Sequence, residues 1–316
     1  MAQGYPANVD IVYAEPVKVL RNDLRTAIAE TGFRGVRECA DIGAVDGAIR
    51  LASPDILIFD TDMEKGKMLS LIQRLRHNKF GKNPFLSVIA TCAEPNQRKI
   101  QIIADSGIDY IMVKPFAPMQ LVQRFERIAK SRKPFAITSS YIGPDRRDLI
   151  KPREDDEEVK LVEVPNTIGM KARGERIDFY ELQKAISGVM SDINDVRLRQ
   201  NARRVAYLTG RMIEDITLKR FGSRISADAA RVIEICGDTL DRLPESEMFH
   251  VVELCGSVEH LTRTVAQNLD TVSEKELILL KSVADAMVFC FNTETDSAEF
   301  AHQVMGMVTR AVGAPA

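Results

Sequence analysis

Residues 54–63, PDILIFDTDM, constrain this chain more than any other stretch. Ile56, Leu57, Ile58 and Phe59 follow one another without a polar break, which suits a strand buried on both faces, as in a parallel sheet. The run ends abruptly in two acids, Asp60 and Asp62. Carboxylates just past such a strand lie at its C-terminal edge, where open α/β sheets place their ligand sites. Taken alone, the decapeptide is equally a solvated strand end followed by an acidic turn. The pattern on either side of it decides.

Residues 9–14, VDIVYA, form a first apolar run that closes on Glu15-Pro16. Over 17–28, Val17, Leu20, Leu24, Ala27 and Ile28 follow helical spacing, and Gly32 supplies a C-terminal stop. The same reading gives strands at 36–40, 55–59, 85–90 and 109–113, and helices at 44–51, 67–76, 97–106 and 119–129. Five strands alternating with five helices specify a doubly wound parallel sheet with right-handed crossovers. Every C-terminal strand end then lies on one edge, so Glu15, Asp60, Asp62, Thr91 and Lys114 can converge there.

Asp60 after the third strand, Thr91 after the fourth, Lys114-Pro115-Phe116 after the fifth and Glu15 after the first stand in the order and spacing of a known family. Residues 9 to about 131 resemble a bacterial two-component receiver domain, of the flavodoxin-like fold. The resemblance implies that Asp60 is the phosphoacceptor, attacking the phosphoryl group of a phosphohistidine on a histidine kinase or phosphotransfer protein. It implies Mg²⁺ held by Glu15, Asp60 and Asp62, because an anion attacking a phosphoryl group needs cationic help. Lys114 would pair with a phosphoryl oxygen, the Thr91 hydroxyl would donate to another, and Pro115 would be the family's cis-proline.

Three departures bear on this chemistry. The family has two adjacent acids after its first strand, whereas Glu15 is followed here by Pro16, so one carboxylate is missing. Asp62 stands two residues beyond Asp60, where the family uses a backbone carbonyl for the metal. Ile111 occupies the place of the switch aromatic, with Tyr110 one position away, and the Thr91-to-Lys114 interval is one residue longer than usual, which places an insertion near Pro95-Asn96.

Residues 134–176 change character. The stretch 132–176 holds four of the thirteen prolines, a basic DRRD and the acidic block EDDEE, and reads as an extended linker. Phe135-Ala-Ile137 with Tyr141-Ile142, and 159–165, suit strands or apolar clips lying along a domain surface. Paired arginines such as Arg146-Arg147 can grip phosphate and stack on guanine. No DxSxxG barrel follows, and a solvated or interdomain ion-pair patch is the expectation.

From 177 to 316 the strand signals vanish. Phe179, Leu182, Ile186, Val189, Ile193 and Val196 form a heptad seam, followed by a polar break at Gln200 and Arg203 and then by Val205, Leu208, Met212 and Ile216. Further helices are expected at 227–243, 247–269, 273–291 and 297–312, with Ser226, Ser273 and Ser297 as N-caps and Ser273 with Glu276 as a capping box. The expectation is a receiver over 1–133, a linker over 134–176 and an all-α bundle of four to six helices over 177–316.

From Asp178 onward, 15 Lys/Arg against 21 Asp/Glu give a net charge of −6, which argues against nucleic acid as a partner. The run Arg197, Arg199, Arg203, Arg204 reads as one solvated helix face or a site for an acidic partner. His250, His260 and His302 do not match a phosphotransfer motif. No Ser-His-Asp grouping, metal-spaced His pair or Gly-rich phosphate loop is present, so no enzyme beyond receiver chemistry is expected. Five scattered cysteines without a CxxC pair suit reduced thiols, and no run of 18 apolar residues occurs, so a cytoplasmic protein is expected. The resulting functional expectation is a response regulator whose helical domain signals to a downstream protein, as a homodimer. A phosphorylation-independent scaffold is the alternative, and a DNA-binding regulator a lesser one.

Overall fold

The computed structural model of the protein describes residues 8–146, 159–243 and 249–292. The chain divides into two compact units, 1–193 and 194–316. The expected boundaries at 133–134 and 176–177 fall inside the first.

In the first unit, β1 (Asp10–Ala14), β2 (Gly35–Cys39), β3 (Ile56–Asp60), β4 (Ser87–Cys92) and β5 (Tyr110–Val113) form a five-stranded parallel sheet in the order β2-β1-β3-β4-β5. Helices α1 (Lys18–Glu30), α2 (Ile42–Leu51), α3 (Lys67–Arg76), α4 (Gln97–Asp105) and α5 (Pro118–Lys130) connect them. Every residue of β3 is buried. Its pleat sends Leu57 and Phe59 into a core with α2 and α3, and Ile56 and Ile58 into a second core with Phe33 and α5. This two-sided burial is what the unbroken apolar run encodes.

Two boundaries move for local reasons. Helix α2 begins at Ile42 rather than 44 because the Asp41 side chain accepts from the Ala44 amide and caps it. Strand β4 runs two residues later than 85–90, because the Asn83 side chain accepts from the Phe85 amide and holds a turn there. Thr91 therefore lies within β4, not beyond it.

Within the stretch read as a linker, the two apolar pieces expected as strands or clips do form strands. Strands β6 (Phe135–Ile137), β7 (Ile142–Pro144) and β8 (Lys160–Val162) make an antiparallel sheet, and α6 (Thr167–Ala172) follows. Ile168 joins the core of Phe33 and Phe125, and the Asn166 side chain donates to the Ile128 carbonyl at 2.7 Å. Lys171 reaches Asp55 at 2.5 Å, just before β3.

The firmest attachment is a buried charge cluster at the N-terminal edge of the sheet. Arg76, 1% exposed, donates to the carbonyls of Gly107, Pro84 and Leu86 at 2.8, 2.6 and 2.7 Å, and to Asp109 at 2.9 Å. Arg132 reaches the other Asp109 oxygen at 3.2 Å and the Pro165 carbonyl at 3.0 Å. The Phe135 ring packs against both guanidinium groups. Gly107 has φ +85, and a Cβ there would lie 2.7 Å from the Ile142 carbonyl oxygen, so a side chain would separate β7 from this edge.

The described helices beyond are α7 (Phe179–Thr217), whose residues span the division at 193–194, α8 (Ser223–Leu240), α9 (Phe249–Gln267) and α10 (Glu274–Asn292). From Asn194 on they enclose one core of aliphatic side chains with Cys236, Cys255 and Cys290. All five cysteines are buried thiols. Helix α7 runs unbroken through the supposed polar break. Gln200 and Asn201 are buried, and the Asn201 amide donates to Asp238 at 2.9 Å and to Thr239 at 3.2 Å on α8.

Arg197 is likewise not on a solvated face: it is buried and pairs with Asp238 at 3.1 Å, which also binds Arg242 at 3.0 Å. Ser226 lies inside α8, which starts at Ser223. The Ser273–Glu276 capping box is formed, with the Ser273 amide donating to the Glu276 carboxylate at 2.7 Å. The expected helix at 297–312, with Ser297 and His302, and residues 147–158, with Arg147 and EDDEE, lie outside the described residues. Among those described, no helix is long and apolar enough to cross a membrane.

Burial alone would raise the Asp238 pKa, but Arg242 and Arg197 outweigh it and hold the carboxyl well below the usual range. A depressed folded value adds stability that is present above the ordinary Asp pKa and is lost as the pH falls through the folded one. Asp238→Asn is therefore expected to lower neutral-pH stability and flatten the acid limb of the stability curve. Urea titrations of the whole chain at several pH values test this; an unchanged acid limb would refute the ion-pair account.

Candidate functional site

Parallel register assembles the site. Asp60 ends β3 directly opposite Thr91 of β4, and the Thr61 amide donates to the Thr91 carbonyl at 2.9 Å. Ala14 of β1 pairs with Phe59, so Glu15 emerges beside Asp60. The Lys114 amide continues the β4–β5 ladder by donating to the Cys92 carbonyl at 2.8 Å. Glu15, Asp60, Thr91 and Lys114 thus share the C-terminal edge of the sheet.

Lys114 Nζ lies 2.5 Å from Glu15 Oε2 and 2.5 Å from Asp60 Oδ2. Glu15 is 1% exposed and Asp60 6%. Burial would lower the lysine pKa, but its hydrogen bonds to Asp60 and Glu15 prevail and raise it. The remaining carboxylate oxygens are also held: Asp60 Oδ1 accepts from the Asp62 amide at 2.7 Å, and Glu15 Oε1 from the Val17 amide at 3.0 Å. Pro16 has no amide to offer, so the Glu15 carboxylate caps the turn through the next residue. The Tyr13 hydroxyl is pushed upward by its burial and then by the charges of Glu15 and Asp60. Thr91 is buried, its hydroxyl donating to the Phe59 carbonyl at 3.3 Å. The Lys114–Pro115 peptide is cis.

Asp62 departs from this constellation. Its carboxylate faces Lys99 on α4 at 2.7 Å and is 57% exposed. Sequence reasoning missed Lys99, which carries no motif and meets Asp62 only through the fold. It also missed Arg21, which donates to the Glu15 carbonyl at 2.5 Å and holds the first strand end against α1. Tyr110 is half-buried, and its ring lies under the Arg124 guanidinium at 5.3 Å.

Among the described residues no cluster of three or more His, Cys, Asp or Glu is set as a metal cage. Mg²⁺ does not require one: it is commonly bound through one or two carboxylates, with waters and phosphate oxygens completing an octahedron. Two hard carboxylates, Glu15 and Asp60, already converge on a single cationic nitrogen, so their chemistry fits the ion. The Asp62 carboxylate is engaged elsewhere.

The sequence over residues 11–126 matches the family described as the response regulator receiver domain. Among solved structures, the chemotaxis response regulator CheY4 of Vibrio cholerae is 21% identical, over 38% of this chain and 97% of that one, with a TM-score of 0.33. The isolated receiver domain of RcsB from Salmonella enterica serovar Typhimurium, with the phosphomimetic BeF3−, is also 21% identical, over 39% of this chain and 90% of that one, with a TM-score of 0.34. With the five-stranded parallel sheet and its family match, residues 11–126 are a response regulator receiver domain, and a helical C-terminal region follows it.

Proposed function

We propose that Asp60 accepts a phosphoryl group from a phosphohistidine on a histidine kinase or phosphotransfer protein, and that the helical region passes the signal on by contact with a downstream protein or by dimerisation. The observation that carries this reading is Lys114 Nζ at 2.5 Å from both Asp60 and Glu15 at one sheet edge. An Asp60 oxygen forms the new bond to phosphorus while the phosphorus–nitrogen bond of the donor breaks, and the imidazole nitrogen leaves with the electron pair. Lys114, already charged between two acids, stays beside the phosphoryl oxygens as Asp60 is esterified. The Thr91 hydroxyl exchanges its long bond to the Phe59 carbonyl for one to the phosphoryl group. Glu15 and Asp60 would hold Mg²⁺, which supplies neutralisation of phosphoryl charge when bound.

Incubating the full chain with acetyl phosphate and Mg²⁺ is expected to add the mass of one phosphoryl group, in an acid-labile form, to the wild type and none to Asp60→Asn. A change in sizing and light scattering confined to the wild type would extend the result to dimerisation. A chain that gains no adduct, from acetyl phosphate or from a phosphorylated histidine donor, would overturn the proposal. The Glu15-Pro16 turn, which costs the site one acid, would then favour a phosphorylation-independent scaffold.

A further inference from the structure

The first unit has a hollow of about 680 Å³ that none of Glu15, Asp60, Thr91 or Lys114 lines. It lies between α4, β5 and α5, and residues 144–146, at the end of β7 and just beyond it, close one side. Its wall has five bases, Arg124, Arg127, Arg132, Lys133 and Arg146, against two acids, Asp109 and Asp145. Asp109 is already shared between Arg76 and Arg132, so the wall is strongly cationic.

The bases are held in distinct ways. Arg124 stacks on Tyr110 at 5.3 Å. Arg146 is part-buried and donates through Nη2 to the Ile108 carbonyl, not to an acid. The Nε atoms of Arg132 and Arg146 are both buried without a hydrogen-bond partner, and the Arg132 side chain is only 5% exposed. A buried donor left unmade is costly, so these two point to something polar that completes them. Guanidinium groups pair with phosphate oxygens in fixed geometry and stack on planar rings. The hollow falls within the roughly 300–1,000 Å³ usual for small-ligand sites, whereas bare phosphate would leave most of it empty.

We propose that this hollow binds a nucleotide, its phosphate held by Arg127 beside the unpartnered Nε atoms of Arg132 and Arg146 and its base laid against the Arg124–Tyr110 stack. The site is independent of Asp60 phosphorylation, since it shares no residue with that edge. Strand β5 nevertheless runs from Tyr110 in the wall to Val113, the residue before Lys114 at the phosphoryl site.

The test is calorimetric titration of the full chain with ATP, GTP and cyclic diguanylate, each without Mg²⁺, in wild type, Arg124→Ala, Arg127→Ala and Asp60→Asn. Arg50→Ala, on α2 away from the hollow, is the control. At least one nucleotide is expected to saturate at one per chain, and the ligand that does so separates a mononucleotide from a cyclic dinucleotide source. Its binding should weaken about tenfold or more in Arg127→Ala, as loss of a charge-assisted contact implies, and also in Arg124→Ala. Asp60→Asn and Arg50→Ala should bind as wild type does. Arg127 is exposed, so its replacement leaves the fold intact even where Arg124→Ala does not. No saturation by any of the three at millimolar concentration, or equal loss in Arg50→Ala, would overturn the proposal. Displacement by inorganic phosphate or a polyglutamate peptide at concentrations equal to the nucleotide's would overturn it too, since the site would then recognise charge alone.

Discussion

Replacing Asp109 by asparagine is expected to destabilise the first unit by about 3–5 kcal/mol, the usual cost of removing one partner from a buried ion pair. Asp109 sits between Arg76 and Arg132, with side-chain exposures of 5%, 1% and 5%. Burial already pulls Arg76 down to about 10 against the opposing pull of Asp109. Asparagine keeps the shape and can still accept from the Val88 amide, which now donates to Asp109 Oδ2 at 2.9 Å. Two guanidinium charges would nonetheless lose their counter-charge in a place water does not reach. For a unit of this size the loss corresponds to a fall of roughly 10 °C in thermal midpoint. Hydrogen exchange should also rise in residues 132–146 and 159–172, which Arg132 ties to the sheet edge. A drop of under about 1 kcal/mol would show the cluster to be dispensable, since surface pairs are worth no more than that.

Lys114→Gln is expected to slow phosphorylation of Asp60 from acetyl phosphate by about a hundredfold or more, the typical effect of removing one preorganised donor from developing charge. Glutamine reaches the same space and donates a hydrogen bond but brings no charge to Asp60 and Glu15. The same substitution has a separate signature in stability. Because the folded-state pKa of Lys114 is raised, its contribution is fully present below the ordinary lysine value and is lost as the pH rises through the folded one. The variant should therefore show a flatter alkaline limb than wild type. Stopped-flow phosphorylation followed by intact mass reads the first effect, and urea midpoints at rising pH read the second. A rate within about threefold of wild type would remove Lys114 from the proposed transfer step, because a charge placed on the reacting oxygens is worth more than that.

Hydrophobic periodicity alone encodes the architecture of the receiver. Ile56 to Phe59 could only be satisfied between two layers of helices, and five such strand ends on one edge bring Glu15, Asp60, Thr91 and Lys114 to adjacent positions. The capping box at Ser273 was legible for the same reason, since its partner stands three residues away. Local spacing encodes which face of an element is buried.

Which polar group meets which is not encoded that way. The family resemblance puts Asp62 with the metal acids, yet its carboxylate turns to Lys99, 37 positions later. Gln200 looked like a break in a helical seam, and Arg197 like a solvated cation, because a polar residue in a sequence carries no mark of its distant partner; Asp238 and Thr239 on α8 take in Arg197 and Asn201. The proline-rich and charged stretch after α5 read as a linker by composition, but Arg132, Asn166 and Lys171 each find a specific acceptor on the sheet edge or on α5. Sequence by itself determined the layers, the strand ends and the identity of the acids and the lysine at one edge, because burial has a period. Only the tertiary structure decided the ion pairs and the docking of the extension, because a buried charge is stable only where the fold delivers its counter-charge.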